Sequence, residues 1–303
     1  MQPEGEIVLE HKKQWTGVKI IKLILKIAVT GLCFWYISTK IDFANAWNAL
    51  LKANWGFLLL AVLAFMISKL FAAFRLNINF RNIKIRITEW KNIKLYWLGM
   101  FYNLFLPGSI SGDAYKVVIL TRKFQAPYKK TTIAVLLDRF SGLLALGVIL
   151  SLYGAFVLEN KFWEVLLIAG SLIAILSLYL VVRFFFKEFL PGFWSTFAWG
   201  MAVQIFQVVC LYCVLLSLNI TLQPEWIFIF LVASVVSVLP ISLGGGLGTR
   251  EFVFVQGAAF FQFDKHTQAL ALIVSLLFYV SNLMSSVWGA YFVFHDPLKE
   301  NSI

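Results

Sequence analysis

Four charged residues lie shortly after breaks in otherwise apolar stretches of the chain: Asp113, Lys116, Arg250 and Glu251. A charged side chain at membrane depth costs about 2.5–3.5 kcal/mol on insertion scales, so each of them needs a physical reason. In the functional interpretation, the two cations contact a phosphate group, while the two acids pair with them, cap helix N-termini or carry a proton. In the structural alternative, the acids only cap helices, which contributes about 1 kcal/mol each.

Further polar residues lie inside or beside apolar runs. Asp138 and Arg139 come seven and eight residues after Thr131, where one run begins. Because adjacent helical side chains point about 100° apart, we expect each to pair with another element, in a cavity or in a packing ion pair. Asn103 joins the candidate binding residues, although hydrogen bonding between helices is its simpler interpretation. Three lysines are interpreted as side chains that reach from helix ends to the membrane surface: Lys22, Lys26 and Lys69.

The composition of the whole chain indicates the environment in which these residues work. The 303 residues are 60% hydrophobic and 14% charged, with a mean hydropathy of +0.82. Ordinary soluble domains carry about 25% charged residues, so the chain is a polytopic membrane protein and neither disordered nor a secreted disulfide scaffold. The net charge of +11 comes from Lys and Arg between apolar runs. There they set topology and contact anionic lipid, so we expect no nucleic-acid partner.

Apolar runs of about 17–25 residues predict helices that cross the membrane. Six such runs occur, at residues 21–38, 55–74, 131–157, 162–185, 193–218 and 268–294. Two more runs, 97–120 and 226–263, are interrupted by Pro and Gly, and each predicts a helical hairpin instead of one span. The predicted fold class is therefore an all-α polytopic membrane protein with six full transmembrane helices plus two re-entrant broken-helix hairpins.

Positive residues predict the orientation of these elements. Lysines and arginines flank the first broken hairpin on both sides: Arg75, Arg81, Lys84, Arg86, Lys91 and Lys94 before it, and Arg122, Lys123, Lys129 and Lys130 after it. Because such residues concentrate in cytoplasmic loops, both flanks are expected in the cytoplasm, and the hairpin enters and leaves on that side. The second hairpin is expected to dip in from outside. Both termini are expected in the cytoplasm, with an uncleaved first span.

The two halves of the chain have the same order of elements, namely span, span, broken hairpin and span. Pro240 follows Pro107 by 133 residues, and the pattern L-P-x-S-[IL]-x-G occurs at 106–112 and again at 239–245. Three full spans per half predict an inverted-topology repeat, about 20–157 and 162–294, within one integral membrane domain of residues 1–303. The alternative is that the breaks are ordinary membrane-helix kinks. A half-helix that begins at a break directs free N–H groups toward an anion, so two breaks predict a phosphate site near the midplane.

Other chemistries have little support in the sequence. Cys210 and Cys213 have a C-x-x-C spacing, but the histidines that could complete a zinc site are scattered. The glycines at 244–248 lack the G-K-[ST] ending of a nucleotide loop. We therefore expect no metal, no cofactor and no catalytic residue, and we expect that the protein is not an enzyme.

The segments Asn103 to Gly108, Gly112-Asp113, Asp138-Arg139 and Leu239 to Glu251 resemble the lysylphosphatidylglycerol synthase transmembrane region family. That family includes the flippase-like membrane half of the multiple peptide resistance factor. The resemblance implies movement of a phospholipid or polyprenyl-linked headgroup between leaflets of the bacterial cytoplasmic membrane. Nine residues follow Phe294, so the lysine transfer of the full synthase is not expected.

The resulting hypothesis is a lipid flippase whose partner is a membrane lipid with an anionic headgroup. The candidate substrate-binding residues are Asn103, Asp113, Lys116, Asp138, Arg139, Arg250 and Glu251. One alternative is a membrane-embedded enzyme acting on polyprenyl-phosphate-linked sugars, with Asp113 or Glu251 as base or nucleophile. Another is a non-catalytic scaffold for an envelope biosynthesis enzyme. The sequence also allows a homo-oligomer.

Overall fold

The computed structural model describes residues 51–105, 110–158, 160–238, 246, 248–295 and 297–298. Within these ranges the regular structure is helical and contains no β-strand. Nine α-helices follow one another along the described chain: α1 (Trp55–Asn82), α2 (Glu89–Phe105), α3 (Ser111–Phe124), α4 (Tyr128–Val157), α5 (Lys161–Phe185), α6 (Phe193–Ser217), α7 (Pro224–Val238), α8 (Thr249–Phe260) and α9 (Lys265–Phe294). A short 3₁₀ helix, Lys187–Gly192, leads into α6.

Five described helical segments are long and apolar enough to cross a membrane: Trp55–Asn82, Tyr128–Val157, Lys161–Phe185, Lys187–Ser217 and Lys265–Phe294. They correspond to five of the six predicted spans, and the predicted span 21–38 lies outside the described residues. A helix is the form that such segments take because it satisfies every backbone N–H and C=O without water. The chain is an integral membrane protein with several apolar helices.

Two pairs of shorter helices correspond to the predicted broken hairpins. In the first pair, α2 ends at Phe105 and α3 begins at Ser111. In the second pair, α7 ends at Val238 and α8 begins at Thr249. Each first helix stops two residues before a proline, whose ring disfavours helical geometry in the preceding residue. Most of both connections lies outside the described residues, as does the cavity predicted there.

Helix α1 is longer than its sequence predicts, since it continues to Asn82 instead of ending near residue 74. The additional turns contain polar residues that tertiary contacts satisfy. Asn92 on α2 donates a hydrogen bond to the Ala73 carbonyl over 2.6 Å, and Asn77 donates one to the Ile87 carbonyl over 3.3 Å. Residues near 69 to 75 therefore lie in the interior of the helix and not at its end.

Two apolar cores hold the described helices together, and α1 contributes to both. The first core joins α1 to α6, α7, α8 and α9 through buried residues that include Phe65, Trp226, Phe230, Phe254 and Phe278. The second core joins the later part of α1 to α2, α3 and α4 through buried residues that include Leu76, Phe80, Leu95, Leu120 and Val135. Each broken hairpin therefore packs into a different core, and α1 connects the two.

Close contact between helices depends on small residues at particular positions. A Cβ added at Gly289 of α9 would lie 2.2 Å from the Trp97 carbonyl oxygen of α2. At Gly200 of α6 it would lie 2.9 Å from the Ala145 side chain of α4. Small residues allow membrane helices to approach because lipid provides little hydrophobic drive for association. Through Gly289, the last helix described packs directly on the first broken hairpin.

Several helices begin with a side-chain cap at an exposed position. The Asn54 side chain accepts a hydrogen bond from the Gly56 amide over 2.9 Å, and the Asp264 side chain accepts bonds from two amides at the start of α9. Such caps satisfy amide groups that have no partner within the helix. Hydrogen bonds from the side chain and backbone of Thr267 hold the pKa of the Asp264 carboxyl below its usual value.

Candidate anion-binding site

The first break is closed by hydrogen bonds between the end of α2 and the start of α3. The Asn103 side chain accepts a bond from the Gly112 amide over 2.9 Å, and the Ser111 hydroxyl donates to the Tyr102 carbonyl over 2.7 Å. The two backbones touch, since a Cβ at Gly112 would lie 1.9 Å from the Gly99 carbonyl oxygen. Asn103 therefore links the helices, which is the simpler of its two interpretations, and orients the start of α3.

Asp113 binds two cations from different helices. Its carboxylate accepts a bond from Lys116 over 3.1 Å and forms a second ion pair with Arg139 of α4. Lys116 is buried, with its amino group 4.4 Å from the centre of the Tyr96 ring, whereas the Arg139 side chain is 37% exposed. One carboxylate beside two cations leaves this group with an excess positive charge. Sequence reasoning singled out all three charged residues and included pairing of the acid with a cation, but it did not assign Arg139 as a partner of Asp113.

Asp138, the neighbour of Arg139, points to a different partner. Its two carboxylate oxygens accept bonds of 2.7 and 3.1 Å from Arg75 on α1, and both side chains are at least nine-tenths buried. A Cβ at Gly142 would lie 2.5 Å from that guanidinium, so the arginine fills space that a glycine leaves. The geometry is that of a packing ion pair. Arg75 was counted with the positive residues that flank the first hairpin, and the structure places it within α1, buried against Asp138.

The second break leads into α8 through two glycines with positive φ, Gly246 at 92° and Gly248 at 88°. Glu251 is fully buried, and one of its oxygens accepts a bond of 2.6 Å from the Gly248 amide. Its other oxygen accepts a bond of 3.1 Å from the Ser275 hydroxyl on α9. Glu251 therefore caps α8 and fixes it to α9, and both of its oxygens have partners.

Arg250 is buried, with 8% of the residue exposed, and has no carboxylate partner among the described residues. Its guanidinium lies over the Phe278 ring, 4.7 Å from the centroid. Its Nε donates one long hydrogen bond of 3.4 Å to the Ser237 hydroxyl at the end of α7. The result is a cation at the N-terminus of a half-helix, held by an aromatic face and one weak hydrogen bond.

Lys69 is a member of the same region that sequence reasoning missed. It is half-buried near the middle of α1, with its amino group 4.5 Å from the centre of the Phe65 ring. Arg75, Lys116 and Arg250 all lie within electrostatic range of it. Its interpretation as a lysine that reaches the surface from a helix end is therefore wrong. The signal that could have identified Lys69 was its position inside an apolar run. Sequence reasoning ended that run near residue 74, whereas the helix continues to Asn82.

Taken together, these residues form a largely buried charge cluster: Lys69, Arg75, Lys116, Arg139 and Arg250 with Asp113, Asp138 and Glu251. Lys69, Asp113 and Arg139 are its half-buried members. Five cations face three carboxylates, so two positive charges have no counterpart within the cluster. Most buried charges in proteins are paired or neutralised because desolvation is costly. The cluster therefore has the electrostatic character of a site for an anion. Among the described residues, no group of His, Cys, Asp and Glu could hold a metal ion.

Interrupted apolar helices around buried charges define a polytopic membrane protein. The chain belongs to the lysylphosphatidylglycerol synthase TM region family, whose model matches residues 23–196. This confirms the resemblance seen in the sequence. The match contains Asp113, Asp138 and Arg139 and ends before Arg250 and Glu251.

A curated relative is the UPF0104 membrane protein PH1989 of Pyrococcus horikoshii, which is 25% identical over 174 residues. The aligned part covers 56% of this chain and 51% of the relative. The chain therefore spans about half the length of the curated relative that it matches. The name of that relative describes a membrane protein.

Proposed function

We propose that the protein moves an anionic lipid headgroup, of a phospholipid or a polyprenyl-linked lipid, across the membrane. This proposal rests on Arg250, a buried cation without a carboxylate partner among the described residues. It lies at the start of α8, the helix that follows the second interruption. The phosphate of a headgroup supplies the missing anion. The amide groups at the start of α8 favour the same ligand, because the N-terminus of a helix carries a partial positive charge.

The energies favour a ligand over a purely structural arginine. A charge at the membrane centre costs about 2.5–3.5 kcal/mol. A cation–π contact recovers about 0.5–2 kcal/mol, and the 3.4 Å bond to Ser237 is too long to add much. The adjacent Glu251 carboxylate offsets part of the remaining cost, but the guanidinium has no charge-assisted hydrogen bond to a carboxylate among the described residues. A phosphate that formed charge-assisted hydrogen bonds with the guanidinium would offset the rest.

The order of described helices supports two related halves that move against each other. In the first half, α1 is followed by the broken pair α2 and α3 and by the 30-residue α4. In the second half, α6 is followed by the broken pair α7 and α8 and by the 30-residue α9. An inverted repeat of this kind allows alternating access to a site between the halves. The proposal includes re-entrant hairpins, cytoplasmic termini and the bacterial cytoplasmic membrane.

The engagement of the two candidate acids favours transport over catalysis. A general base or nucleophile needs an oxygen that is available to a substrate. Asp113 holds two cations, and both oxygens of Glu251 accept hydrogen bonds from the protein. The described contacts of both acids therefore stabilise the folded protein. We therefore propose a transporter with no catalytic residue, and the lipid itself is its partner.

The test is translocation by purified protein reconstituted in vesicles. The assay measures how much fluorescent phosphatidylglycerol or polyprenyl phosphate becomes accessible to a membrane-impermeant quencher. Arg250→Gln is expected to slow translocation by about tenfold or more, the effect of losing about 1.4 kcal/mol of headgroup binding. Arg250→Lys should retain part of the activity, because it keeps the charge but loses the planar donor geometry.

The matched control is Arg86→Gln, which removes an exposed arginine and should leave translocation unchanged. Equal yield and equal thermal unfolding of all variants show that the effect is on the site and not on folding. Wild-type translocation of both lipids by Arg250→Gln would refute the assignment of Arg250 to the headgroup site.

A further inference from the structure

Two cations of the buried cluster have no carboxylate within 4.0 Å among the described residues, namely Lys69 and Arg250. Each lies over one ring of the same aromatic pair. The Lys69 amino group is 4.5 Å from the centre of Phe65, and the Arg250 guanidinium is 4.7 Å from the centre of Phe278. The two rings contact each other edge to face, with centroids 5.5 Å apart. The two charges are thus carried by one rigid element of the first apolar core.

The other cations of the cluster lie in ion pairs. Arg75 is paired with Asp138, while Lys116 and Arg139 share Asp113, so one positive charge is in excess at that carboxylate. Glu251 stabilises the start of α8 through the Gly248 amide and acts on Arg250 electrostatically without a described ion pair to it. The cluster as a whole keeps two positive charges in excess, and Lys69 and Arg250 are its two cations outside a described ion pair. Their charges interact with each other.

This arrangement is unfavourable in the free protein. Like charges in a medium of low dielectric constant repel, and aromatic faces replace only part of the lost hydration. A ligand with two negative charges balances this positive potential better than a ligand with one negative charge. Lipid phosphates differ in this respect, because a phosphomonoester carries about −1.5 to −2 at neutral pH, whereas a phosphodiester carries one charge.

We infer that Lys69 and Arg250 together bind the phosphate of the transported lipid, and that the pair selects a phosphomonoester headgroup over a phosphodiester headgroup. This inference rests on the proposed function and specifies its substrate class. Arg250 supplies the planar donors and Lys69 supplies the second charge. Lys69 is thus a specificity-determining residue on α1, at the junction of the two apolar cores.

Native mass spectrometry of the full chain tests this inference with two lipids that have the same acyl chains. Phosphatidic acid is the phosphomonoester, and phosphatidylglycerol is the phosphodiester. At about pH 7 the wild type is expected to bind phosphatidic acid about tenfold more tightly, and the preference should shrink at about pH 5, because the second phosphate proton dissociates near pH 6. Inorganic phosphate serves as a lipid-free dianion, and binding as tight as that of phosphatidic acid would overturn the assignment to a lipid.

The variants separate the two cations. Lys69→Gln should lose the preference for phosphatidic acid and bind phosphatidylglycerol within about twofold of wild type, well below the tenfold that 1.4 kcal/mol produces. Lys69→Arg should keep the preference, because it keeps the charge. Lys129→Gln, at an exposed lysine, is the matched control and should behave as wild type.

The outcomes distinguish this inference from the proposed function. If Arg250→Gln weakens both lipids but the wild type binds them equally, the headgroup site stands and the selection of phosphomonoesters is overturned. If Arg250→Gln binds both lipids as the wild type does, the proposed site fails as well. An unchanged preference in Lys69→Gln would overturn the role of Lys69. Thermal unfolding provides the folding control, since removal of an unpaired charge should not lower stability.

Discussion

The buried ion pair between Arg75 and Asp138 allows a quantitative test of how α1 and α4 are held together. In Asp138→Asn the guanidinium would keep its buried position and lose the carboxylate that now accepts bonds of 2.7 and 3.1 Å. Removal of one member of a buried pair costs about 3–5 kcal/mol, because the other charge is left uncompensated. At about 2–4 °C per kcal/mol, the midpoint of thermal unfolding should fall by about 10 °C.

The double variant Arg75→Met with Asp138→Leu gives the decisive comparison. Because it leaves no buried charge, it should recover most of the lost stability, so the two effects are strongly non-additive. Glu89→Gln is the control, since its partner Arg81 is 57% exposed and exposed pairs contribute about 0–1 kcal/mol. If the double variant were as unstable as the sum of its single variants, the pair would not be the source of the effect. If it unfolded normally but lost transport, Asp138 would have a role at the cavity.

Two further predictions concern the breaks. Gly112→Ala should destabilise the protein by about 1–3 kcal/mol or more, because its Cβ would lie 1.9 Å from the Gly99 carbonyl oxygen, and Gly147→Ala, with open space around it, should not; equal unfolding temperatures would contradict the close contact. Glu251→Gln should lower the unfolding temperature less than Glu251→Ala, because the amide keeps an acceptor for the start of α8 and loses only the charge that favours a helix N-terminus. Equal losses in both Glu251 variants would mean that hydrogen bonding there is unimportant.

Hydropathy and the interruption of two apolar runs by Pro and Gly predicted much of the architecture from the sequence. Five described segments match predicted spans, and both broken stretches form helix pairs. The first helix of each pair stops two residues before a proline. These features depend on local composition, because a membrane excludes backbone that is not internally hydrogen-bonded. The family was also recognisable, although the matched residues end at 196, before the glycine-rich segment that precedes Arg250.

Features that depend on distant partners were not predictable in the same way. The end of α1 was set too early, because Arg75 and Asn77 are polar and their partners on other elements are not visible locally. That error removed Lys69 from the candidate site. The sharing of Asp113 by Lys116 and Arg139 likewise requires the packing of α3 on α4, which charge patterns alone do not specify.

The contact at Gly289 brings α9 and α2 together at backbone distance. With no side chain there, the backbone of α9 rests on the Trp97 carbonyl and the Phe101 side chain of α2. Such a contact sets how closely the two helices approach each other. Any side chain at position 289 would push α9 away from α2 and so separate the last helix described from the first pair of short helices.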